Sequence, residues 1–382
     1  MLLLDGGILP HQRSGRLAHL RWVRGRIITN ETPASAWWKS QLTVCRADVF
    51  LERMELRKDP ITRSWVITGD DVPDSTPRTE SFCRFCPNSP SPAQLVSNMP
   101  GLGGDPWSAR AVVHPTALYR IEGEPARRAD GIYDRMSSVG AHELLVENVR
   151  HDRQLWDATD AEIERFLLLA AQRIQDLKRD PRFKYVSVFK NHGSNAGQEF
   201  EHPISQLTAT TFVPRRVLYE LRAGRDYFKA KERCVFCDIL SQELQQNLRV
   251  LEVRGDFVAL CPYAPRVPYE TWIVPRTHDT AFERFGLSRP LLDLGGLLRR
   301  TLQRIRTVTS EFHLVLHTSP NTQHQSKSLD YWRTIDDDYH WHIEILPIVG
   351  GKAKSYTFKE VYYSPVTSET AVKRLRDAKI AG

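Results

Sequence analysis

Long apolar runs, an N-terminal export signal and abundant cysteine are all missing from this chain of 382 residues. No apolar stretch approaches the roughly 20 residues that a membrane-spanning helix needs. The start Met1-Leu-Leu-Leu-Asp-Gly-Gly is too short and too acidic for a signal peptide. Without a secretion signal, the six cysteines are more typical of metal or redox sites than of disulfides. The sequence therefore predicts a cytoplasmic protein with no membrane partner.

A concentrated excess of positive charge is also missing from most of the chain, although the net charge is +7. Residues 1–53 hold eight Lys/Arg against four Asp/Glu, so the remaining residues carry only about +3. That balance is typical of a pocket for phosphorylated small molecules rather than of a groove for a long polyanion. A nucleic-acid-binding double zinc knuckle is therefore the least favoured function, because no basic aromatic strip occurs beyond the first 53 residues.

Cysteine and histidine occur instead in a pattern that repeats once along the chain. The first half supplies Cys83-Arg-Phe-Cys86, His151 and His202, and the second half supplies Cys234-Val-Phe-Cys237, His278 and His340. Thiolate with imidazole is the borderline-soft ligand set that Zn²⁺ accepts without geometric strain. Two such sets in one order indicate an internal duplication and two tetrahedral zinc sites. The alternative is that the cysteines are buried core residues and the histidines only satisfied polar groups.

The run His340-Trp341-His342-Ile343-Glu344 predicts a half-buried strand with two imidazoles on one face. In such an arrangement one imidazole can be fixed as a metal ligand while its neighbour attacks phosphorus as a nucleophile.

Hydrophobic periodicity predicts a chain of alternating strands and helices in three parts. Helices are predicted over 160–179, 216–231 and 290–308. Strands are predicted over 64–68, 109–113, 143–147, 185–190, 207–213, 258–260, 271–274, 313–317 and 340–346. Residues 73–106 are predicted to form a loop that carries Cys83 and Cys86 as a zinc knuckle. The predicted parts are an N-terminal extension (1–53), an N-terminal half with the first zinc site (54–230) and a C-terminal half with the second (231–382).

These residues resemble the galactose-1-phosphate uridylyltransferase family of the histidine-triad superfamily across most of residues 54–382. The resemblance lies in Arg57-Lys-Asp-Pro-Ile-Thr-Arg-Ser-Trp-Val, the first Cys-x-x-Cys, Asn191 and Gly193 ahead of His-Pro-x-x-Gln, and the His-x-His. The second cysteine pair is similar to the ADP-glucose phosphorylase branch. The resemblance implies an α+β fold of two pseudo-symmetric histidine-triad-like halves, each an antiparallel sheet with flanking helices, assembled as a homodimer.

The resemblance also implies a reaction. A histidine takes a nucleoside monophosphate from a nucleotide sugar and passes it to a sugar phosphate through a nucleotidyl-histidine intermediate. It implies two zinc sites at the positions Cys83, Cys86, His151, His202 and Cys234, Cys237, His278, His340. Family members with an iron-type second site use positions that match Glu220, His317, His340 and His342, and the cysteines favour zinc here.

The chain departs from the family at the position of the nucleophile, which is Ile204 and cannot form a phosphoramidate. Glu199 stands where the family has serine, and His114-Pro-Thr stands where it has a base-contacting Asn-x-Phe. We therefore expect catalysis in the second half, with His342 as nucleophile, because internal symmetry places His342 where the first half has Ile204. Asn191, Gln206 and Glu344 are the predicted substrate-binding residues, with Glu344 orienting a ribose hydroxyl or an imidazole N–H.

Two further expectations complete the sequence-based picture. Lys352, Lys354 and Lys359 can offset phosphate charge, although solvated surface lysines are the simpler interpretation.

The alternative function is a catalytically dead, zinc-stabilised relative that acts as a scaffold for a nucleotide or a partner. Ile204 favours the scaffold and His342 favours the enzyme, and we prefer the enzyme.

Overall fold

The computed structural model describes residues 54–69, 82–323, 332–350 and 361–380, all within the unit formed by residues 47–382. The predicted extension 1–53 lies outside the described residues. The strands are β1 Glu55–Lys58, β2 Trp65–Thr68, β3 Leu95–Asn98, β4 Arg110–Val113, β5 Arg128–Asp130, β6 Tyr133–Ser137, β7 Gly140–Val146, β8 Tyr185–His192, β9 Ile204–Thr210, β10 Val250–Arg254, β11 Phe257–Leu260, β12 Thr271–Pro275, β13 Phe312–His317 and β14 His342–Pro347. The helices are α1 Asp160–Leu177, α2 Arg215–Lys231, α3 Val235–Gln246, α4 Phe282–Ser288, α5 Leu292–Arg306, α6 Ile335–Asp338 and α7 Ser368–Arg376, with a 3₁₀ turn at Ser194–Ala196.

Ten of these strands form one large sheet, in the order β10-β11-β12-β14-β13-β8-β9-β7-β4-β3. Each neighbouring pair in it is antiparallel. The first-half strands lie on one side of the β8–β13 junction and the second-half strands on the other. Reading outward from that junction, β8-β9-β7-β4-β3 is mirrored by β13-β14-β12-β11-β10. The α+β fold of two pseudo-symmetric antiparallel halves is confirmed, and the halves share one continuous sheet.

A smaller sheet, β2-β1-β6-β5, is formed by the remaining strands of the first half. It contains β2, which the sequence predicted at 64–68. Its strand pairs are also antiparallel.

Helices α1 and α5 cover one face of the large sheet. The first turn of α1 is fixed by a capping box, in which Thr159 accepts from the Glu162 backbone N–H and the Glu162 side chain accepts from the Thr159 N–H. Apolar residues at helical spacing, such as Ile163 and Phe166, then pack into one core with alternate strand residues, such as Leu207 and Ile343. The side chains that alternate with these residues along each strand therefore project from the opposite face of the sheet.

The structure differs from the sequence-based elements at several places, four of which bear on the site. Strand β3 lies within the predicted 73–106 loop, because it is a short edge strand without clear alternation. Helix α3 was not predicted, and it places Cys234 at its N-cap. Strand β9 begins at Ile204 rather than 207, and β14 begins at His342, so His340 precedes the strand. Among the described residues, no helix is both long enough and apolar enough to cross a bilayer.

Candidate functional site

The opposite face of the large sheet, which we call the site face, carries the predicted nucleophile and substrate-binding residues. Directly paired residues on neighbouring strands project to the same side of a sheet. The register pairs Gln206 with Phe189, Phe189 with Val315, and Val315 with Glu344. Alternation along each strand adds the following residues to this face: Ile204, Asn191, His313, His317 and His342.

The first- and second-half residues on the site face are well separated. Gln206 on β9 and Glu344 on β14 are three strands apart, which at the usual spacing of strands is roughly 14 Å. Gln206 and His342 therefore lie too far apart to hold a single phosphate group.

The first Cys₂His₂ cluster gathers beside the start of β9, as the spacing predicted. The ligand atoms of Cys83, Cys86, His151 and His202 all lie within 4.8 Å of one another. Cys83 Sγ is 3.6 Å from His202 Nδ1, and Cys86 Sγ is 3.7 Å from His151 Nδ1. Burial and the neighbouring Cys83 raise the pKa of Cys86 to about 11, so a bound cation is needed to hold both thiolates.

The second Cys₂His₂ cluster forms in the same way beside the start of β14. The ligand atoms of Cys234, Cys237, His278 and His340 also lie within 4.8 Å of one another. Cys237 Sγ is 3.4 Å from His278 Nδ1 and 3.7 Å from His340 Nδ1. The structure therefore brings together each of the two sets of four that the sequence predicted.

Both clusters fit a tetrahedral zinc ion. With Zn–S near 2.3 Å and Zn–N near 2.05 Å, a sulfur and a nitrogen on one tetrahedron lie about 3.6 Å apart, as the measured separations do. Three imidazoles place Nε2 against a backbone carbonyl, at 2.8 Å for His202 (Asn148), 2.9 Å for His278 (Asp336) and 3.0 Å for His340 (Pro275). Donation from Nε2–H fixes the tautomer that leaves the Nδ1 lone pair free for a metal.

A third cluster of ionisable side chains lies next to the second Cys₂His₂ cluster, and it joins Glu220, His317, His342 and Glu344. His317 Nδ1 is 3.1 Å from Glu220 Oε2, and its Nε2 is 3.2 Å from Glu344 Oε2. Burial opposes a charge on His317, but the two carboxylates outweigh it and raise the pKa of His317 to about 10. We call these four residues the carboxylate–imidazole cluster.

The iron-type ligand set implied by the resemblance is divided between two clusters. Its members Glu220, His317 and His342 lie in the carboxylate–imidazole cluster, whereas His340 turns its Nδ1 to the cysteines. Glu344 is the fourth member of the carboxylate–imidazole cluster, in the position that His340 has in the iron-type set. His340 instead joins the cysteines, which agrees with the preference for a cysteine-bound second metal.

His342 has the protonation state of a nucleophile but little exposure. Its Nδ1 lies 3.1 Å from the His340 carbonyl, so Nδ1–H donates there and Nε2 keeps a lone pair. Burial and the neighbouring His317 lower the pKa of His342 to about 4, which keeps the ring neutral. The ring stacks on His317 at 4.7 Å, contacts Phe236, and is only 1% exposed. A phosphate can reach Nε2 only if covering groups move, and the nucleophilic role stays a prediction.

The first-half position that matches the family nucleophile is apolar in structure as well as in sequence. Ile204 packs with Phe85 and Val146 under the cysteine loop. Beside it, His142 Nε2 lies 3.0 Å from Gln206 Oε1, and Gln206 donates to Glu199 at 3.2 Å. Gln206 therefore has protein partners on both ends of its amide.

The two other departures from the family pattern contact each other. Glu199 Oε2 lies 3.2 Å from His114 Nε2, and the His114 ring stacks on His142 at 4.0 Å. The replacements at 114 and 199 thus form one polar network in the place where the resemblance puts ligand contacts.

Sequence reasoning missed two arginines that contact the carboxylate–imidazole cluster. Arg266 Nη2 lies 2.7 Å from Glu344 Oε2, and Arg216 lies 3.0 Å from Glu220 and 3.7 Å from Glu344. The one available indication was the i, i+4 spacing of Arg216 and Glu220, which is common on helix surfaces. Asn191, predicted to bind substrate, pairs through Oδ1 with His313 Nδ1 at 2.9 Å. The lysines 352, 354 and 359 lie outside the described residues.

The fold and the two clusters define a class: an α+β protein with a duplicated antiparallel half-sheet and a Cys₂His₂ cluster in each half. No protein-family model matches the chain. The chain is 28% identical over 346 residues to ADP-glucose phosphorylase of Arabidopsis thaliana, covering 85% of this chain and 93% of that protein. It is 25% identical over 343 residues to galactose-1-phosphate uridylyltransferase of Thermotoga maritima, covering 86% and 99%.

A solved structure agrees with these relatives. The crystal structure of an ADP-glucose phosphorylase from Arabidopsis thaliana with bound ADP-glucose matches with a TM-score of 0.66 at 28% identity, over 86% of this chain and 100% of that one. The homologues of this chain are thus galactose-1-phosphate uridylyltransferases and ADP-glucose phosphorylase, which confirms the resemblance. Because these relatives are enzymes, the scaffold alternative is not favoured.

Proposed function

We propose that this protein is a nucleotidyltransferase of the galactose-1-phosphate uridylyltransferase type. It moves a nucleoside monophosphate between a nucleotide sugar and a sugar phosphate through a nucleotidyl-histidine, as part of galactose or related carbohydrate metabolism. The observation that carries the proposal is the likeness to two such enzymes over 85–86% of the chain. The chemistry of the site face, with imidazoles beside a Cys₂His₂ cluster, supports it.

We assign two zinc ions to this function, one in each Cys₂His₂ cluster. The sulfur–nitrogen separations of 3.4–3.8 Å and the carbonyl-fixed imidazole tautomers support zinc at both. Zinc supplies folding energy there and fixes the ends of β9 and β14. In the second half, the backbone carbonyl of the ligand His340 accepts from His342, so the metal cluster also orients the proposed nucleophile.

In this proposal His342 is the nucleophile and Glu344 orients its surroundings. Glu344 accepts from His317 and pairs with Arg266, so it holds imidazole and guanidinium N–H groups and has no direct role on phosphate. Burial would raise the pKa of Glu344, but His317 lowers it, and the carboxylate stays ionised. Asn191 and Gln206 are the proposed substrate contacts farther along the site face.

We place the reaction in the cytoplasm and expect a homodimer. The described cysteines, Cys83, Cys86, Cys234, Cys237 and Cys261, form no disulfide with one another, which supports a reducing compartment. The expected partners are a nucleotide sugar and a sugar phosphate, with no nucleic acid and no membrane among them.

A covalent-adduct experiment tests the function. Zinc-loaded protein is incubated with ADP-glucose or with UDP-glucose, and intact mass spectrometry is used to detect bound AMP or UMP. We expect an adduct on the peptide that contains His342, and none in His342→Ala at unchanged zinc content. His192→Ala is the matched control, because His192 lies on the same sheet but on the opposite face. An adduct that persists in His342→Ala would refute the assignment of the nucleophile, and no adduct with either sugar would refute the function.

A further inference from the structure

Glu199 is the outermost member of the polar network that the first half carries on the site face. The Glu199 side chain is 36% exposed, whereas the other three members, His114, His142 and Gln206, are buried. We call these four residues the Glu199 network. Solvent and ligands therefore meet this network at the Glu199 side chain.

Backbone N–H groups fix both histidines of the network in one tautomer. Thr116 N–H donates to His114 Nδ1 at 3.1 Å, and Leu118 N–H donates to His142 Nδ1 at 3.3 Å. Each ring therefore carries its hydrogen on Nε2. Burial and the neighbouring His114 lower the pKa of His142 to about 4, which keeps that ring neutral. Because Nδ1 is occupied and Nε2 carries hydrogen, neither ring offers a lone pair to a metal in this arrangement.

The remaining N–H groups of the network are directed to Glu199. His142 Nε2–H donates to Gln206 Oε1 at 3.0 Å, and this turns the amide so that Gln206 Nε2 donates to Glu199 Oε1 at 3.2 Å. His114 Nε2 faces the other carboxylate oxygen, Oε2, also at 3.2 Å. Each oxygen of Glu199 is thus approached by one buried N–H group, so the carboxylate is held in position before any ligand arrives.

The Glu199 carboxylate is charged and keeps free acceptor sites. The contact with His114 lowers the pKa of Glu199, although partial burial opposes this, so the group is ionised at neutral pH. A carboxylate has about four lone-pair sites. One site on each oxygen faces the network, so each oxygen keeps one site for a ligand. The result is a pair of acceptors side by side.

We propose that Glu199 binds two neighbouring hydroxyl groups of a sugar, one on each carboxylate oxygen. The inference rests on the proposed function, whose substrates carry such hydroxyls on the ribose and on the hexose. Hydroxyl groups that donate to an ionised carboxylate make stronger hydrogen bonds than neutral pairs do. A phosphate, in contrast, is repelled by the like charge. In this scheme Gln206 serves the ligand by holding Glu199.

The position of Glu199 is compatible with phosphate chemistry in the second half. Gln206, which holds Glu199, lies three strands from Glu344, or roughly 14 Å. That separation exceeds the Debye length of about 8 Å at physiological ionic strength. The charge of Glu199 therefore acts weakly on a phosphate near His342, and the sugar hydroxyls and the reacting phosphate have separate places on the site face.

A purely structural carboxylate makes a different prediction. If Glu199 only provides a partner for His114, its loss lowers stability and changes the affinity for every ligand by the same factor. If Glu199 binds hydroxyls, its loss weakens only those ligands that carry them. The ratio of two affinities, with and without the hydroxyls, therefore separates the two roles.

The test measures that ratio by calorimetry on the full zinc-loaded chain. AMP and UMP are compared with their 2′,3′-dideoxy forms, which lack the ribose pair. Glucose 1-phosphate is compared with 3-deoxyglucose 1-phosphate, in which no two neighbouring hydroxyls remain. We expect the hydroxylated member of one comparison to bind about tenfold to a hundredfold more tightly, as hydrogen bonds to a charged group do. The comparison that shows this difference identifies the sugar.

Variants then assign the ratio to Glu199. In Glu199→Gln the ratio should fall to about one, because the charge is lost and an amide N–H replaces one acceptor. Glu199→Ser should give the same result with a smaller side chain, so the outcome does not depend on a single variant. Glu122→Gln is the matched control, since Glu122 is an exposed carboxylate of the first half outside the network. It should keep the ratio of the unmodified chain.

Two outcomes would overturn the inference. One is an unmodified chain that binds both members of every comparison equally, or binds none of the probes. The other is a ratio that persists in both Glu199 variants. If the ratio depends on Glu199 but no nucleotidyl adduct forms, the proposed function fails while the hydroxyl site stands. An adduct without any such ratio would have the opposite meaning.

Discussion

Replacing Cys237 by serine should remove one of two bound zinc ions and weaken the second half of the protein. Serine is similar in size to cysteine, but its hydroxyl is a poor zinc ligand compared with a thiolate. Cys237 Sγ lies 3.4 Å from His278 Nδ1 and 3.7 Å from His340 Nδ1, so its loss opens the tetrahedron toward both imidazoles. The packing around the side chain otherwise changes little, so the effect reports on coordination.

The magnitude follows from the energy of a structural zinc site. Four ligands together supply about 10–16 kcal/mol, so one ligand is worth about 2.5–4 kcal/mol. Such a loss is a large part of the stability of a typical protein, about 5–15 kcal/mol. We expect the free energy of unfolding of Cys237→Ser to fall by about 3 kcal/mol in chemical denaturation with zinc in excess, where the weakened site is still filled, and we expect that ion to be lost once free zinc is removed.

Cys261→Ser is the matched control. Cys261 is a buried free thiol outside both clusters, and it has Thr271 Oγ1 at 3.8 Å as a neighbour. Burial of a hydroxyl there should cost about 1–3 kcal/mol without changing the zinc content. Metal analysis by mass spectrometry should give two zinc ions for the unmodified chain and for Cys261→Ser, and one for Cys237→Ser. Two zinc ions retained by Cys237→Ser would refute the coordination argument, whatever the stability measured.

Three further predictions concern other parts of the protein. His317→Asn should lower the free energy of unfolding most below about pH 6.5, and the loss should shrink as pH rises through about 10. The reason is that the pKa of His317 is raised to about 10 in the folded protein, so the charged ring stabilises the fold only while it stays protonated. Chemical denaturation of both proteins from pH 6 to 10 measures this difference, and a pH-independent difference would contradict the prediction. Glu147→Gln should lower the free energy of unfolding by about 3–5 kcal/mol, since it leaves the buried Lys190 ammonium without its carboxylate at 3.0 Å, and a change below 1 kcal/mol would show that the ammonium finds another partner. Ile204→His should form no nucleotidyl adduct at position 204, because Gln206 remains tied to His142 and Glu199, and an adduct on the peptide that contains residue 204 would disprove that view.

Local sequence was sufficient for the elements whose side chains alternate clearly or repeat at helical spacing. Helix α1 was predicted to within two residues, because its capping box and apolar stripe are both encoded within the segment itself. Helix α3 was missed, since its first turn carries the cysteines and its apolar face is short. Strand β3 was missed because an edge strand of four residues needs no strong pattern of its own.

The carboxylate–imidazole cluster could not be found in the same way. Glu220 comes from α2, His317 from β13 and Glu344 from β14, and Arg266 lies in a loop before β12. No spacing relates these residues, because the contacts are made by sheet register and by the helix that lies over the sheet. The exposure of His342 was likewise unpredictable, since the half-buried strand that alternation suggested is covered on its site face by Phe236 of α3.

The sequence by itself determined the chemistry of the metal ligands and their duplication, because thiolate and imidazole are properties of residue types and their order along the chain survives folding. Only the tertiary structure decided that the two half-sheets join at β8 and β13, that His340 turns to the cysteines while His342 stacks on His317, and that Arg216 and Arg266 approach Glu344. Those outcomes depend on which strands pair and in which register, and pairing brings together residues that are far apart along the chain, as in β8 and β13.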